Sequence, residues 1–149
     1  MLDNLGRYAP HALALLRIIA ALLFIQHGTM KLFGFPVTGS GGGAAGLSAL
    51  MLLAALIETI GGLLLLFGFL TRPAAFILSG EMAVAYFMAH APRGFFPLAN
   101  GGDLAILFCF VFLYLFFAGP GAWSVDGKRS AQFGRRRSSQ FERGAGLRS

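Results

Sequence analysis

The chain has 149 residues, 56% of them hydrophobic and 12% charged, with a mean hydropathy of +0.72. A soluble domain carries about 25% charged residues, so this chain has too few charges to cover a water-facing surface, and its surface is expected to face lipid. From Gly127 to Ser149, seven basic residues stand against one acid and account for the whole net charge of +6; basic residues gathered behind apolar segments read as a positive-inside signal, not as a nucleic-acid interface.

A bilayer core about 30 Å thick needs roughly 20 mostly apolar helical residues, and four segments qualify. The first runs from about His11 to Phe33. Arg17 interrupts its apolar core and Lys31 follows without a cleavage pattern, so it is read as a retained span and not as a signal peptide. After the glycine-rich stretch Gly34 to Gly43, which contains Pro36, the second runs from about Ala45 to Leu70, broken only by Ser48, Glu58 and Thr59. Thr71-Arg72-Pro73 is a minimal turn, with Pro73 at a favoured first helical position, and the third segment extends from Pro73 to about Ala91. Pro92 to Gly102 holds two prolines and the pair Phe95-Phe96. The fourth and shortest segment runs from about Asp103 to Ala118 and is ended by Gly119-Pro120-Gly121.

Lipid offers no partner for backbone polar groups, and the apolar runs are continuous, not alternating, so the spans are helices. The expected architecture is an all-α integral membrane protein, a four-transmembrane-helix bundle over residues 1–126, with a basic cytoplasmic tail over 127–149 that is without regular structure or lies on the membrane surface. An even number of spans puts both termini on one side, and the tail's charge makes that side the cytoplasm. Arg7 and Arg72 then fall inside, and Lys31 and Arg93 outside with Gly39 and Phe95. Cys109 is the only cysteine, which excludes an internal disulfide, a paired-thiol motif and a cysteine metal cluster; it reads as a small buried hydrophobe, and no metal site is expected.

Ionisable groups inside a membrane are costly, about 2.5–3.5 kcal/mol each at mid-span, and face the bundle interior with partners. At about 100° per residue, Arg17, His27 and Lys31 share one face of the first span with Ala21 and Gly28. Glu58 lies with Ala54 and Gly62, and Glu81 with Ala85 and Ala89; small residues of this kind mark close helix contacts. Helical rise sorts the groups by depth into an inner layer of Arg17 and Glu81, with Glu58 near the middle, and an outer layer of Gln26, His27, Lys31 and His90, joined by Asn100 and Asp103 from the last loop. Arg17 is therefore expected to pair with Glu81, or with Glu58 as the alternative. The outer residues His27, Lys31, His90, Asn100 and Asp103, with Glu58 beneath, are the ligand-binding candidates. The plainer readings are a structural ion pair at Arg17, a snorkelling Lys31, and Asn100 and Asp103 serving as N-cap and first-turn acid. His90 lies about 180° around the helix from Glu81 and is not placed inward by this geometry.

Four stretches together are similar to a known family: Leu16-Arg17 leading to Gln26-His27-Gly28-Thr29-Met30-Lys31-Leu32-Phe33-Gly34-Phe35; Glu58-Thr59-Ile60-Gly61-Gly62 leading to Gly68-Phe69-Leu70-Thr71-Arg72-Pro73-Ala74-Ala75; Met82 to His90 followed by Gly94-Phe95-Phe96 and Asn100-Gly101-Gly102; and Gly119-Pro120-Gly121-Ala122-Trp123-Ser124-Val125-Asp126. In their order and spacing the chain resembles the DoxX family of small bacterial and archaeal membrane proteins over residues 12 to 126. The resemblance implies a multi-pass four-helix bundle in the plasma membrane. It also implies an association with quinone-linked oxidoreductases and with sulfur and thiol redox homeostasis.

Three functions compete. A redox-associated subunit would bind a quinone or similar lipid-soluble ligand in an intramembrane polar pocket. The sequence carries no heme, flavin or iron–sulfur motif and no covalently bound cofactor is expected, so partner redox proteins would carry the electrons and the chain itself would be a non-catalytic subunit. A small proton-linked transporter would use Glu58 and Glu81, as a homo-oligomer given its size. A scaffold for other membrane proteins would use its polar residues for packing alone. No catalytic residue is assigned.

Overall fold

The computed structural model describes residues 2–36 and 44–133; Gly39, expected in the first outer loop, lies outside them. A 3₁₀ turn over Leu2–Tyr8 leads into α1, Ala9–Phe33, with Pro10 in its first turn, where a missing N–H costs nothing. Gly34 stops α1 by turning left-handed (φ 71°) and donating its N–H to Met30 O at 2.9 Å. Ser48 caps α2, Ala49–Phe67, by accepting from Met51 N at 3.3 Å, so this span starts a turn later than its apolar run. Paired bonds at its other end, Phe69 N to Leu64 O and Gly68 N to Leu65 O, reverse the chain within a few residues.

Helix α3, Thr71–Ala85, runs on through a π turn over Tyr86–His90 and a 3₁₀ turn over Ala91–Arg93. A short α4, Pro97–Asn100, precedes α5, Asp103–Ala118. A last helix, α6, spans 125–133, so the beginning of the basic tail is helical where the sequence suggests no regular structure. Residues 134–149 lie outside the described part. The segments Asn4–Phe33, Ala49–Phe67 and Thr71–Arg93 are long and apolar enough to cross a membrane, and α5 is a shorter apolar fourth. Together they make the all-α membrane bundle.

Helix α1 packs antiparallel along α2, α3 packs along α5, and α2 joins the two pairs through α3. Glycines set the close approaches: a methyl group at Gly28 would lie 2.8 Å from Ala55 O and 2.9 Å from Thr59 N, so only hydrogen fits where α1 crosses α2. The core is aromatic and aliphatic, with Phe24 of α1 meeting Phe112 of α5 edge-on at 4.8 Å amid Leu65, Leu78 and Leu115. Ser79 Oγ donates to Cys109 O at 2.9 Å and ties α3 to α5, with Cys109 half-buried beside it. Large apolar side chains such as Leu15, Ile19, Phe76, Ile77, Phe110 and Phe117 point outward, as helices solvated by lipid require.

Candidate ligand site within the membrane

The buried stripe of α1 runs through Ala14, Arg17, Ala21, Phe24 and Gly28. Lys31 follows it by one turn near the helix end. Helical side chains lean toward their own N-terminus, so Lys31 leans down α1 toward the bundle middle, and Glu58 on antiparallel α2 leans up to meet it. Lys31 Nζ and Glu58 Oε1 are 2.6 Å apart, with the lysine side chain 23% exposed and the glutamate 3%. Lys31 therefore turns inward and does not snorkel away from the bundle.

The third member comes from α3. Gly61 of α2 packs on Leu78 of α3, and the same antiparallel register sets Glu58 level with Glu81. Both Glu81 oxygens and Glu58 Oε2 are buried without a hydrogen-bond partner among the described residues. Glu81 lies within electrostatic reach of both Glu58 and Lys31. Three helices thus contribute one ammonium and two carboxyl groups at one level of the bundle. Charge balance in a low-dielectric interior is met when one carboxyl holds a proton or both share a donor from outside the chain.

This arrangement corrects the pairing expected for Arg17. Neither Glu81 nor Glu58 bonds it. The Arg17 side chain is fully buried, and its guanidinium donates to Leu65 O at 2.5 Å, Leu66 O at 3.0 Å, Trp123 O at 3.0 Å and, at 3.5 Å, Ala122 O. Leu65 and Leu66 belong to the last turn of α2, whose carbonyls have no helical partner and carry the negative end of the helix dipole. The acid whose charge bears on Arg17 is Asp126. Arg72 repeats the device at α5, donating from Nη1 to Phe116 O at 2.7 Å and Phe117 O at 2.8 Å.

Asp126 closes this end of the molecule. Its Oδ1 accepts from Leu70 N at 3.1 Å and its Oδ2 from Thr71 N at 2.8 Å, capping α3 from a segment 55 residues away. Partial burial pushes the carboxyl up, but the Thr71 and Leu70 donors and the Arg129 charge more than offset it, so its pKa lies below the ordinary carboxylate value. In the sequence, Gly119-Pro120-Gly121 reads as a helix stop and 119–126 as the fourth stretch of the family resemblance, with no role assigned to Asp126.

The other candidates separate from the triad. His27 is exposed at the edge of the α1 stripe, not inside it; its Nδ1 faces Leu23 O at 3.0 Å and its ring meets Phe108 edge-on at 6.0 Å. Gln26 is likewise exposed and donates to Leu22 O at 3.3 Å. His90 and Asn100 come together in the loop, with His90 Nδ1 3.2 Å from Asn100 O. The Asn100 side chain donates to Gly94 O and accepts from Gly102 N, both at 2.8 Å, so it clamps the 94–102 connection and does not cap α5. The residue preceding α5 is Gly102, and Asp103 is an exposed first-turn acid. The structure thus joins Lys31 with Glu58 and His90 with Asn100, and leaves His27 and Asp103 apart from both pairs.

A sequence profile of the DoxX family matches residues 12–91. A protein of Haemophilus influenzae described as uncharacterized is 50% identical over 130 residues, covering 85% of this chain and 97% of that one. The inner membrane protein YqjF of Escherichia coli is 38% identical over 113 residues, covering 74% of this chain and 85% of its own. No solved structure matches the chain.

Proposed function

The chain belongs to the DoxX family, and we propose that it is a redox-associated membrane subunit that binds a quinone, or a lipid-soluble ligand of the same carbonyl and hydroxyl chemistry, at Lys31, Glu58 and Glu81. The observation that carries this reading is the triad of Lys31, Glu58 and Glu81, in which three buried carboxyl oxygens have no hydrogen-bond partner among the described residues. A quinone supplies reversible two-electron, two-proton chemistry and offers carbonyl acceptors in one state and hydroxyl donors in the other. The triad has the complementary groups. Lys31 has N–H donors beyond the one facing Glu58, Glu58 Oε2 and Glu81 can accept from hydroxyl groups, and two carboxyls on facing helices can hold a proton out of water. The apolar helix surfaces around them suit an isoprenoid or acyl body. Electrons would come from partner redox proteins, and both termini and the basic tail would face the cytoplasm.

The same unpartnered carboxyls favour a second reading, proton-linked transport through Glu58 and Glu81, and reconstituted vesicles distinguish the two. For ligand binding, a short-chain quinone analogue should raise the melting temperature of the purified protein, and Lys31→Ala and Glu81→Gln should each abolish that shift while the protein stays folded and inserted. Retention of the full shift in both variants sinks the proposal. Proton-driven flux that Glu81→Gln stops, with no quinone effect, would establish the transporter instead. A protein unaffected in both assays would be a scaffold.

A further inference from the structure

The end of the bundle opposite Lys31 holds a second polar feature that the triad does not use. A cleft of about 590 Å³ opens between the α2–α3 turn, the end of α5 and the start of α6, and Arg72, Arg129, Ser130 and Asp126 are the polar and charged residues of its wall besides Thr71. Both guanidinium groups are held in place from behind. Arg72 is anchored through Nη1 to the last carbonyls of α5, which leaves Nε and Nη2 without a hydrogen bond among the described residues. Arg129 lies over the Phe69 ring, 5.7 Å from its centroid, and none of its N–H groups is bonded among the described residues. Orientation without consumption of the fork is what bidentate recognition of a phosphate needs. Asp126, the acid in the wall, already has both oxygens on the Leu70 and Thr71 N–H groups and neutralises the helix dipole there.

The surroundings select the source of the phosphate. The cleft opens where the apolar helices end: Leu70 and Pro73 line it, Leu70 is exposed, and exposed Phe67, Val125 and Phe133 lie within three residues of its wall in sequence, so its rim adjoins the lipid-facing surface. A soluble anion would have no use for that rim, whereas acyl chains would lie along it. Lys128 and the arginines that follow in the sequence add positive charge of the kind that draws anionic lipid. We propose that this cleft binds the headgroup phosphate of an anionic phospholipid, with Arg72 and Arg129 as its donors and the aromatic and aliphatic rim holding the acyl chains.

Native mass spectrometry of the full chain in detergent, titrated with phosphatidylglycerol or phosphatidylcholine, tests this. Phosphatidylglycerol should stay bound under conditions that strip phosphatidylcholine. Arg129→Gln, which leaves the triad and both hydrogen bonds of the Asp126 cap in place, should weaken retention about fivefold, the effect of one basic group at an anionic surface. Arg129→Lys should restore part of it. Because Arg72→Gln also removes a cap from α5, Arg129 carries the decision if that variant fails to fold. Equal retention of the two lipids, or unchanged retention in Arg129→Gln, overturns the proposal. Displacement of phosphatidylglycerol by millimolar inorganic phosphate would also overturn it, since the site would then be one for a free anion.

Discussion

Arg17 gives the sharpest test of how this bundle holds together. Replacing it with leucine removes three charge-assisted bonds of 3.0 Å or shorter, to Leu65, Leu66 and Trp123. Each such bond is worth about 1.5–3 kcal/mol, and each buried carbonyl left behind is penalised by about 1–3 kcal/mol. Relief of the guanidinium's own burial cost offsets part of the sum, leaving an expected loss of about 3–5 kcal/mol. Lysine, a single ammonium without the planar fork, should recover only part of this. Double-mutant cycles measured by unfolding in mixed micelles then identify the partner. Arg17→Leu with Glu81→Gln should be additive to within about 0.5 kcal/mol, because the two groups share no contact. Arg17→Leu with Asp126→Asn should show coupling above that level, since the Asp126 charge acts on Arg17. Coupling of more than about 1 kcal/mol to Glu81, with none to Asp126, would refute the carbonyl cradle and restore a membrane ion pair.

Asp126 predicts an acid limit. Its folded pKa is lowered below the unfolded value, so its stabilisation is fully present above the unfolded carboxylate value of about 3.9 and is lost as pH falls through the folded one. Melting temperature should decline below about pH 4, and Asp126→Asn should remove that contribution to the decline; an identical acid limb in the variant would contradict the capping role. At Asn100, alanine deletes one donor and one acceptor from the loop clamp and should cost about 1–3 kcal/mol. Amide exchange should rise across 94–102 before it rises in α5, and unchanged protection there would show that the clamp is dispensable.

The spans and their stops were legible because length, apolar continuity and glycine placement act locally. Gly34 and Gly119 end helices as their positions suggest, whereas Gly68, read as part of a span reaching Leu70, ends α2 at Phe67. Depth arithmetic along single helices failed at Arg17 because its partners are backbone carbonyls, two of them in a segment that folds back after α5. No pattern of side-chain charge announces a carbonyl. The level pairing of Glu58 and Glu81 was within reach, since both are about equally far from the short turn joining α2 and α3. For His90, a uniform 100° step ignores the π turn at Tyr86–His90, which winds by fewer degrees per residue and re-aims the ring toward Asn100. His27 shows the limit of a face argument: it shares an arc with Arg17 and Lys31, yet sits just outside the stripe that packs.

The cradle around Arg17 also orders events during biosynthesis. When the first helix leaves the ribosome, none of the four carbonyls that will receive its guanidinium has been inserted. Leu65 and Leu66 arrive with the second helix, and Ala122 and Trp123 only after the last. Until then the charge is without part of its final set of acceptors, which is complete only when nearly the whole chain has been made. A nascent chain halted before Ala122 would keep half of the cradle and none of the Asp126 cap, and its Arg17 would lack the acceptors that hold it inside the bundle.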